Sequence, residues 1–264
     1  MQHASKYEII HLKTFFGVIT MPRFFIAASN IARGIAYIQN TDFEHIRVLR
    51  MKIGERLIVC DGSGNDHICR LSKIGDGSAE AEILETQPSS AEPSVKCTVL
   101  AGFPKGERAD YLVQKCTEAG AASVVFFLSE RCVARPDAKS INKKLDRWQR
   151  IAEEAAKQSG RGIIPVVDAV PDFAGALDAA IKTELPLFMY ETGDRRSLKD
   201  VITSAGSFSS AAVITGPEGG FEPYEAELAA RVGIPACSMG PRILRCETAP
   251  VIALTALMYA TDNL

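Results

Sequence analysis

Residues 211–239 read AAVITGPEGGFEPYEAELAARVGIPACSM. The run 211–215 is short, apolar and rich in strand formers, and it stops at Gly216-Pro217-Glu218-Gly219-Gly220-Phe221. Pro223 then stands near the first helical position, with Glu222 and Glu225 where a helix dipole favours negative charge, and Gly233 sits just past the last turn. This predicts a helix over 223–232, followed by a strand at 236–239. Strand, loop, helix and strand in that order form the repeating unit of a parallel sheet.

The same rhythm extends upstream. Strands are expected at 95–101, 123–128, 163–167 and 185–190. In 108–119, Ala109, Leu112, Val113, Cys116 and Ala119 share one helical face; in 141–158, Ile141, Leu145, Trp148, Ile151, Ala152 and Ala155 do the same. Ala249–Ala260 is apolar nearly all round, which suits a core or a subunit interface. The alternation predicts a mostly parallel sheet with helices on both faces, spanning 95–264. Residues 21–90 read differently: Leu57-Ile58-Val59-Cys60 ends at the turn dipeptide Asp61-Gly62, residues 67–71 alternate, and Gly75-Asp76-Gly77-Ser78 precedes another strand-like run. Short strands at this spacing predict a small barrel, interrupted by a helix over 42–49 with Thr41 as its cap. The polar stretch TQPSSAEPS at 86–94 is the expected boundary, and residues 1–20 are expected to be a poorly packed extension.

The chain has 264 residues, 47% of them hydrophobic and 23% charged, with a formal net charge of −2. That composition excludes collagen-like and wholly disordered classes. No apolar run is long enough to cross a bilayer, and the first twenty residues lack the pattern of a signal peptide. The seven cysteines contain no CxxC pair and the four histidines are dispersed, so no metal set is expected and a reducing, cytoplasmic setting fits. Charge is uneven. Residues 105–161 carry 12 basic against 8 acidic side chains, whereas 162–264 carry 7 against 13. Binding to nucleic acid would therefore use a local basic surface rather than bulk charge.

Two loops carry the chemistry. In Gly216–Gly220 glycines let a ligand approach the backbone, at the strand ends where open parallel sheets bind ligands; the bland alternative is a flexible strand-to-helix turn. In Met239-Gly240-Pro241-Arg242-Ile243-Leu244-Arg245-Cys246-Glu247-Thr248, two arginines and a glutamate flank apolar residues, and Thr248 is placed to cap the next helix. Such a loop can sandwich a flat ring and hold an anion, although Arg245 and Glu247 would contribute little if they merely paired at the surface. Dinucleotide, Walker A and nucleophile-elbow signatures are absent. Cys246, beside Arg245, reads better as a packing thiol than as a nucleophile.

VITGPEGGF followed by MGPRILRCETAP resembles the paired cofactor motifs of the 16S ribosomal RNA (uracil-N3)-methyltransferase family of the SPOUT superfamily. MPRFF at 21–25, HIRVLR at 45–50, QKCTEAG at 114–120, SERCVAR at 129–135 and EEAAKQSGR at 153–161 are similar to family stretches in the same order. Ala119 and Cys246 depart from it, standing where members usually have Leu and Thr. The resemblance implies a PUA-like β-barrel for RNA and a trefoil-knotted α/β domain that binds S-adenosyl-L-methionine in bent form. It also implies a homodimer that completes the site. By this analogy the cofactor contacts are Tyr190, Glu191, Gly216, Pro217, Glu218, Gly219, Gly220, Met239, Gly240, Ile243, Leu244, Arg245 and Thr248.

The implied reaction methylates N3 of a specific uridine in 16S ribosomal RNA on the small subunit. Losing the N3 proton puts negative charge on the ring oxygens, which a guanidinium stabilises; Arg245 is the first candidate and Arg242 the second. Glu247 and Glu218 stand in the right loops either to take a proton or to orient an arginine. N3 lies on the pairing edge, so the base must be single-stranded or extruded. Arg23, His45, Arg47 and Arg50 are the barrel's candidates for RNA, with Phe24 or Phe25 for stacking. Lys115, Arg131, Gln158, Arg161 and the basic flank Lys143, Lys144, Arg147 and Arg150 are those of the second domain. The competing readings are a SPOUT enzyme acting at another RNA site and an RNA-binding assembly protein without turnover.

Overall fold

A computed structural model describes residues 21–193 and 195–264; the expectation for 1–20 lies outside the described residues. The chain divides into two compact units, 21–59 with 67–86 and Cys60–Asp66 with Gln87–Leu264.

In the first unit, Arg23–Phe25 (β1), Ile31–Ala32 (β2), Ile35–Gln39 (β3), Arg56–Cys60 (β4), Asn65–Ile74 (β5) and Ser78–Pro88 (β6) form one six-stranded sheet. Its order is β1-β4-β5-β6-β3-β2. Helix Asn40–Val48 (α1) lies between β3 and β4. Alternate residues supply the core, Ala36 and Ile38 from β3, Leu57 and Val59 from β4, with Phe24, Phe43 and Ile46 closing it. The helix starts earlier than expected because Asn40 takes the left-handed conformation (φ +54°), turning strand directly into helix. Thr41 therefore sits inside the first turn, and the cap position, Gln39, makes no side-chain bond.

The second unit comprises Lys96–Gly102 (β7), Arg108–Glu118 (α2), Ser123–Phe127 (β8), Ala138–Ser159 (α3), Val166–Val170 (β9), Phe173–Ala180 (α4), Leu185–Met189 (β10), Arg196–Ser197 (β11), Leu198–Ala205 (α5), Ser210–Thr215 (β12), Pro223–Arg231 (α6), Ala236–Ser238 (β13) and Ala249–Ala260 (α7). Its seven strands run parallel in the order β11-β13-β10-β12-β7-β8-β9. β12 shows why both faces are covered: Ala211 and Val213 join the core under α2, α3, α5 and α7, while Ala212 and Ile214 join the core with α4 and α6. α7 is buried along Ala253, Leu254, Leu257 and Met258, as its apolar composition requires.

β9 begins three residues later than expected. The amides of Gly162 and Ile163 are taken by the Glu92 carboxylate (2.9 and 3.0 Å), and Pro165 has no N–H to donate to a ladder. The short helices α4 and α5 carry side-chain caps, Asp172 accepting from the Gly175 amide and Ser197 from the Asp200 amide. The order β13-β10-β12 sets the site. The chain leaves β12, crosses β10 to reach β13, and returns so that α7 packs on β12 and β7. Three connections thus meet at the carboxyl ends of three adjacent strands.

Candidate functional site

The loops after β10, β12 and β13 enclose a cavity of about 500 Å³, within the size range of small-molecule sites. Tyr190 and Glu191 form one wall. The Tyr190 amide donates to the Cys237 carbonyl (3.1 Å), tying β10 to β13, and its ring stacks on Phe188 at 5.6 Å. Gly216, Pro217, Glu218 and Gly220 form a second wall, and Met239, Gly240, Arg242, Ile243, Leu244, Arg245 and Glu247 a third.

Gly220 has φ +68°, and a β-carbon there would fall 2.6 Å from Glu191 Oε1; a side chain would intrude between the two walls. Gly219 does not line the cavity. Its missing β-carbon would collide with Arg131, 2.8 Å from Cβ and 3.0 Å from the carbonyl oxygen. Gly219, expected to contact the cofactor, thus has a packing reason of its own to lack a side chain, the approach of Arg131. That arginine, expected to meet RNA, donates to the Gly219 carbonyl (3.1 Å) and doubly to Glu222 (2.7 and 3.0 Å), so it braces the loop. Thr248 also departs from expectation. It makes no capping bond, because its own backbone is already helical (φ −92°, ψ −39°), and it lines a neighbouring cavity instead.

A residue that sequence reading missed links two of the walls. Arg108, at the start of α2, lines the cavity and donates to Glu218 Oε1, and its Nε lies 3.8 Å from Glu247 Oε2. Glu218 Oε1 also accepts the Lys105 amide at 2.8 Å. Burial tends to raise the Glu218 carboxyl, but the Lys105 amide and the Arg108 guanidinium outweigh it and hold the group below the usual carboxylate range. The hydrogen bond to Glu218 likewise raises Arg108 and keeps it charged. No local signal could have paired residues 110 positions apart.

Arg242 and Arg245 are exposed on the cavity wall and have no ion-pair partner among the described residues. Glu247 is engaged instead, by Arg108 and by the Cys246 thiol, which donates to Oε2 at 3.2 Å. Burial, reinforced by Glu247, pushes that thiol up to about 12, so Cys246 stays protonated at neutral pH. The neighbouring cavity, about 640 Å³, is lined by Lys105, Gly106, Glu107, Arg108, Tyr111, Glu247 and Thr248.

The residues fit an S-adenosylmethionine-sized ligand. Among the described residues Thr215 Oγ1, buried on the cavity wall, has no hydrogen-bond partner; Gly220 leaves a cradle a β-carbon would fill, and Ile243 and Leu244 lie beside the two guanidinium groups unpaired there. Among the described residues no cluster suits a metal ion, and no helix is long and apolar enough to cross a membrane.

The residues expected to meet RNA fare unevenly. Arg161 is buried and fully engaged, by Glu92 and by the carbonyls of Thr117 and Ala121, so it is a structural residue and not a surface one. Phe24 is wholly buried with its edge on His45, and cannot stack on a base; Phe25 is half-buried. Lys115 pairs with Glu118, Arg47 with Glu44 and Arg147 with Asp110, while Lys144 lies over the Trp148 ring. Arg50 and Gln158 are exposed, and Arg23 is half-buried on β1.

Known proteins resemble this chain over most of its length. A family model described as an RNA methyltransferase domain matches residues 91–258, and one described as an RNA methyltransferase PUA domain matches 38–84. The chain is 33% identical to ribosomal RNA small subunit methyltransferase E of Bacillus subtilis, covering 83% of this chain and 87% of that one. Its counterpart from Mycobacterium tuberculosis is also 33% identical, covering 84% of each. The crystal structure of a methyltransferase E from Neisseria gonorrhoeae bound to S-adenosylmethionine superposes with a TM-score of 0.79 at 32% identity, over 90% of this chain and 97% of that one. A Legionella pneumophila methyltransferase with bound S-adenosylmethionine gives 0.80 at 27% identity, over 92% and 98%.

Proposed function

The chain belongs to the RNA methyltransferase family and is an S-adenosylmethionine-dependent ribosomal RNA methyltransferase; from that premise we propose that its target is N3 of one uridine in 16S RNA of the small subunit. The observation that carries the reading is the three-loop cavity with Arg245 and Arg242 unpaired on its wall. Guanidinium groups already held by carboxylates would have little left for a developing anion; these two are free to meet one.

Bound S-adenosylmethionine supplies a methyl group activated by its sulfonium. The loops of Gly216–Gly220 and Met239–Leu244 hold the adenosine and methionine parts, with Gly220 leaving space and Thr215 Oγ1 offering a buried polar contact. Arg245, assisted by Arg242, stabilises charge on the uracil oxygens as N3 gives up its proton to solvent; the N3–carbon bond then forms as the carbon–sulfur bond breaks, its electron pair staying on sulfur. Holding the partners in line supplies much of the acceleration. Arg108 fixes Glu218 and Glu247, so that neither carboxylate competes for Arg245. The first unit carries RNA contacts through Arg23, His45, Arg47 and Arg50.

The working form is a cytoplasmic homodimer. Ile252 (40% exposed) and Tyr259 (77%) leave an apolar strip on α7 that supports pairing of two copies. Nucleoside mass mapping of ribosomal RNA from cells with and without the gene tests the assignment. Loss of a single N3-methyluridine is expected; an unchanged map, or loss of a ribose methyl group, refutes it.

A further inference from the structure

We propose that the 640 Å³ cavity beside the amino end of α2 is the chamber for the acceptor base, a uracil-type pyrimidine turned out of its RNA. The inference rests on the methyl-transfer reading above. An in-line displacement brings the nucleophilic nitrogen to the methyl carbon from the side opposite sulfur, so donor and acceptor chambers must abut across one short wall. The two cavities share Arg108 and Glu247. Among the described residues no other lines both.

The lining of the second chamber suits a planar ring. Tyr111 stands three residues after Arg108 on the same face of α2 and is 49% exposed, whereas Ala109 and Leu112 on the opposite face are buried in the core. Its ring is a large aromatic surface left uncovered at a cavity wall, as a stacking platform requires. Lys105 is exposed at the same wall, and its ammonium has no carboxylate partner among the described residues. It brings one unpaired cation to the chamber where the ring oxygens carry charge once N3 is deprotonated; Arg108, already held by Glu218 and Glu247, forms the shared wall, and Glu107 is the chamber's other carboxylate. The Glu247 carboxylate is held by Arg108 and the Cys246 thiol, which moderates its repulsion of such an anion. In the transfer itself the N3–carbon bond forms, the carbon–sulfur bond breaks with its pair on sulfur, and the N3 proton has already passed to solvent.

Full-length Tyr111→Ala and Tyr111→Phe proteins test the assignment on small subunits isolated from cells lacking the gene. Loss of one base–aromatic stack predicts a fall of roughly 5- to 150-fold in kcat/KM for Tyr111→Ala, with Tyr111→Phe within about threefold of the parent. Cofactor affinity by calorimetry is expected to stay unchanged in both. In a second arm, small subunits carrying 4-thiouridine at the acceptor position are irradiated with the protein and S-adenosylhomocysteine; a cross-link within peptide 109–115 is expected. Unchanged kcat/KM in Tyr111→Ala, or a cross-link confined to residues outside this cavity, overturns the chamber while leaving methyl transfer standing. Dissociation of a parent dimer by Tyr111→Ala also overturns it, since the ring would then be an interface residue. Failure of the parent protein to methylate the subunits overturns the methyl-transfer reading instead.

Discussion

Replacing Arg161 by Met separates a structural role from an RNA-binding one. The side chain is 4% exposed; it donates twice to Glu92 (2.8 and 3.3 Å) and to the carbonyls of Thr117 (3.2 Å) and Ala121 (2.5 Å). Glu92, itself only 16% exposed, also accepts the Gly162 and Ile163 amides, so one ion pair fastens the segment before β7 to the ends of α2 and α3. Methionine keeps most of the apolar stem but leaves a carboxylate without its cation. Breaking a buried pair from one side costs about 3–5 kcal/mol. For a protein of this size, at about 2–4 °C per kcal/mol, that is a fall in Tm of roughly 6–20 °C. Circular dichroism or calorimetry reads the shift, and methyl transfer by the folded variant at low temperature is expected within about twofold of the parent, because Arg161 does not line either cavity. A variant with the parent's Tm and a large loss of affinity for small subunits would refute the argument and restore an RNA-facing role.

Arg245→Ala should lower methyl transfer by about 10²–10³-fold while cofactor affinity changes little; unchanged turnover would contradict its role in meeting the anion. Gly219→Ala should lower Tm and loosen the Arg131–Glu222 brace, since its β-carbon has no room beside the Arg131 backbone, and a Tm equal to the parent's would show that the loop tolerates it. Cys246→Ala should retain methyl transfer, and alkylation of Cys246 at pH 7–8 should be slow because its thiol is raised to about 12; rapid labelling would disprove that burial. The Glu218–Arg108 pair should persist on mild acidification. Because the folded-state value of Glu218 lies below the ordinary 4.5, its contribution to stability is fully present above about pH 4.5 and is lost only as pH falls through the lower folded value. Stability that declines between pH 7 and 5 in the parent but not in Glu218→Gln would run against this sign.

What could be read from the sequence was whatever local periodicity and turn chemistry dictate. The helix 249–260, the strand at 211–215 and the Pro223 helix start follow from patterns a few residues long, and the structure places each within about a residue. β9 slipped by three because its start is set by Glu92, some seventy residues away, and α4 lacked a polar face strong enough to announce it. The same division runs through the site. Glycines and arginines in two loops marked a ligand cradle, and most of those residues do line one cavity. Arg161 departs from its expected RNA-facing place, and Gly219 packs closely on Arg131, because each answers to a distant partner, Glu92 or Arg131, that no spacing rule connects to it. Arg108 carries no local signal for the same reason, although among the described residues it alone touches both loop carboxylates, Glu218 and Glu247. A cation that holds both of them leaves Arg242 and Arg245 as unclaimed positive charges on the cavity wall, so a residue with no motif of its own keeps both loop arginines free to act. Moving the pairing cation, by Arg108→Met, should therefore draw Arg245 toward a carboxylate and depress turnover more than cofactor binding; the opposite order of effects would mean that Arg108 serves the donor alone.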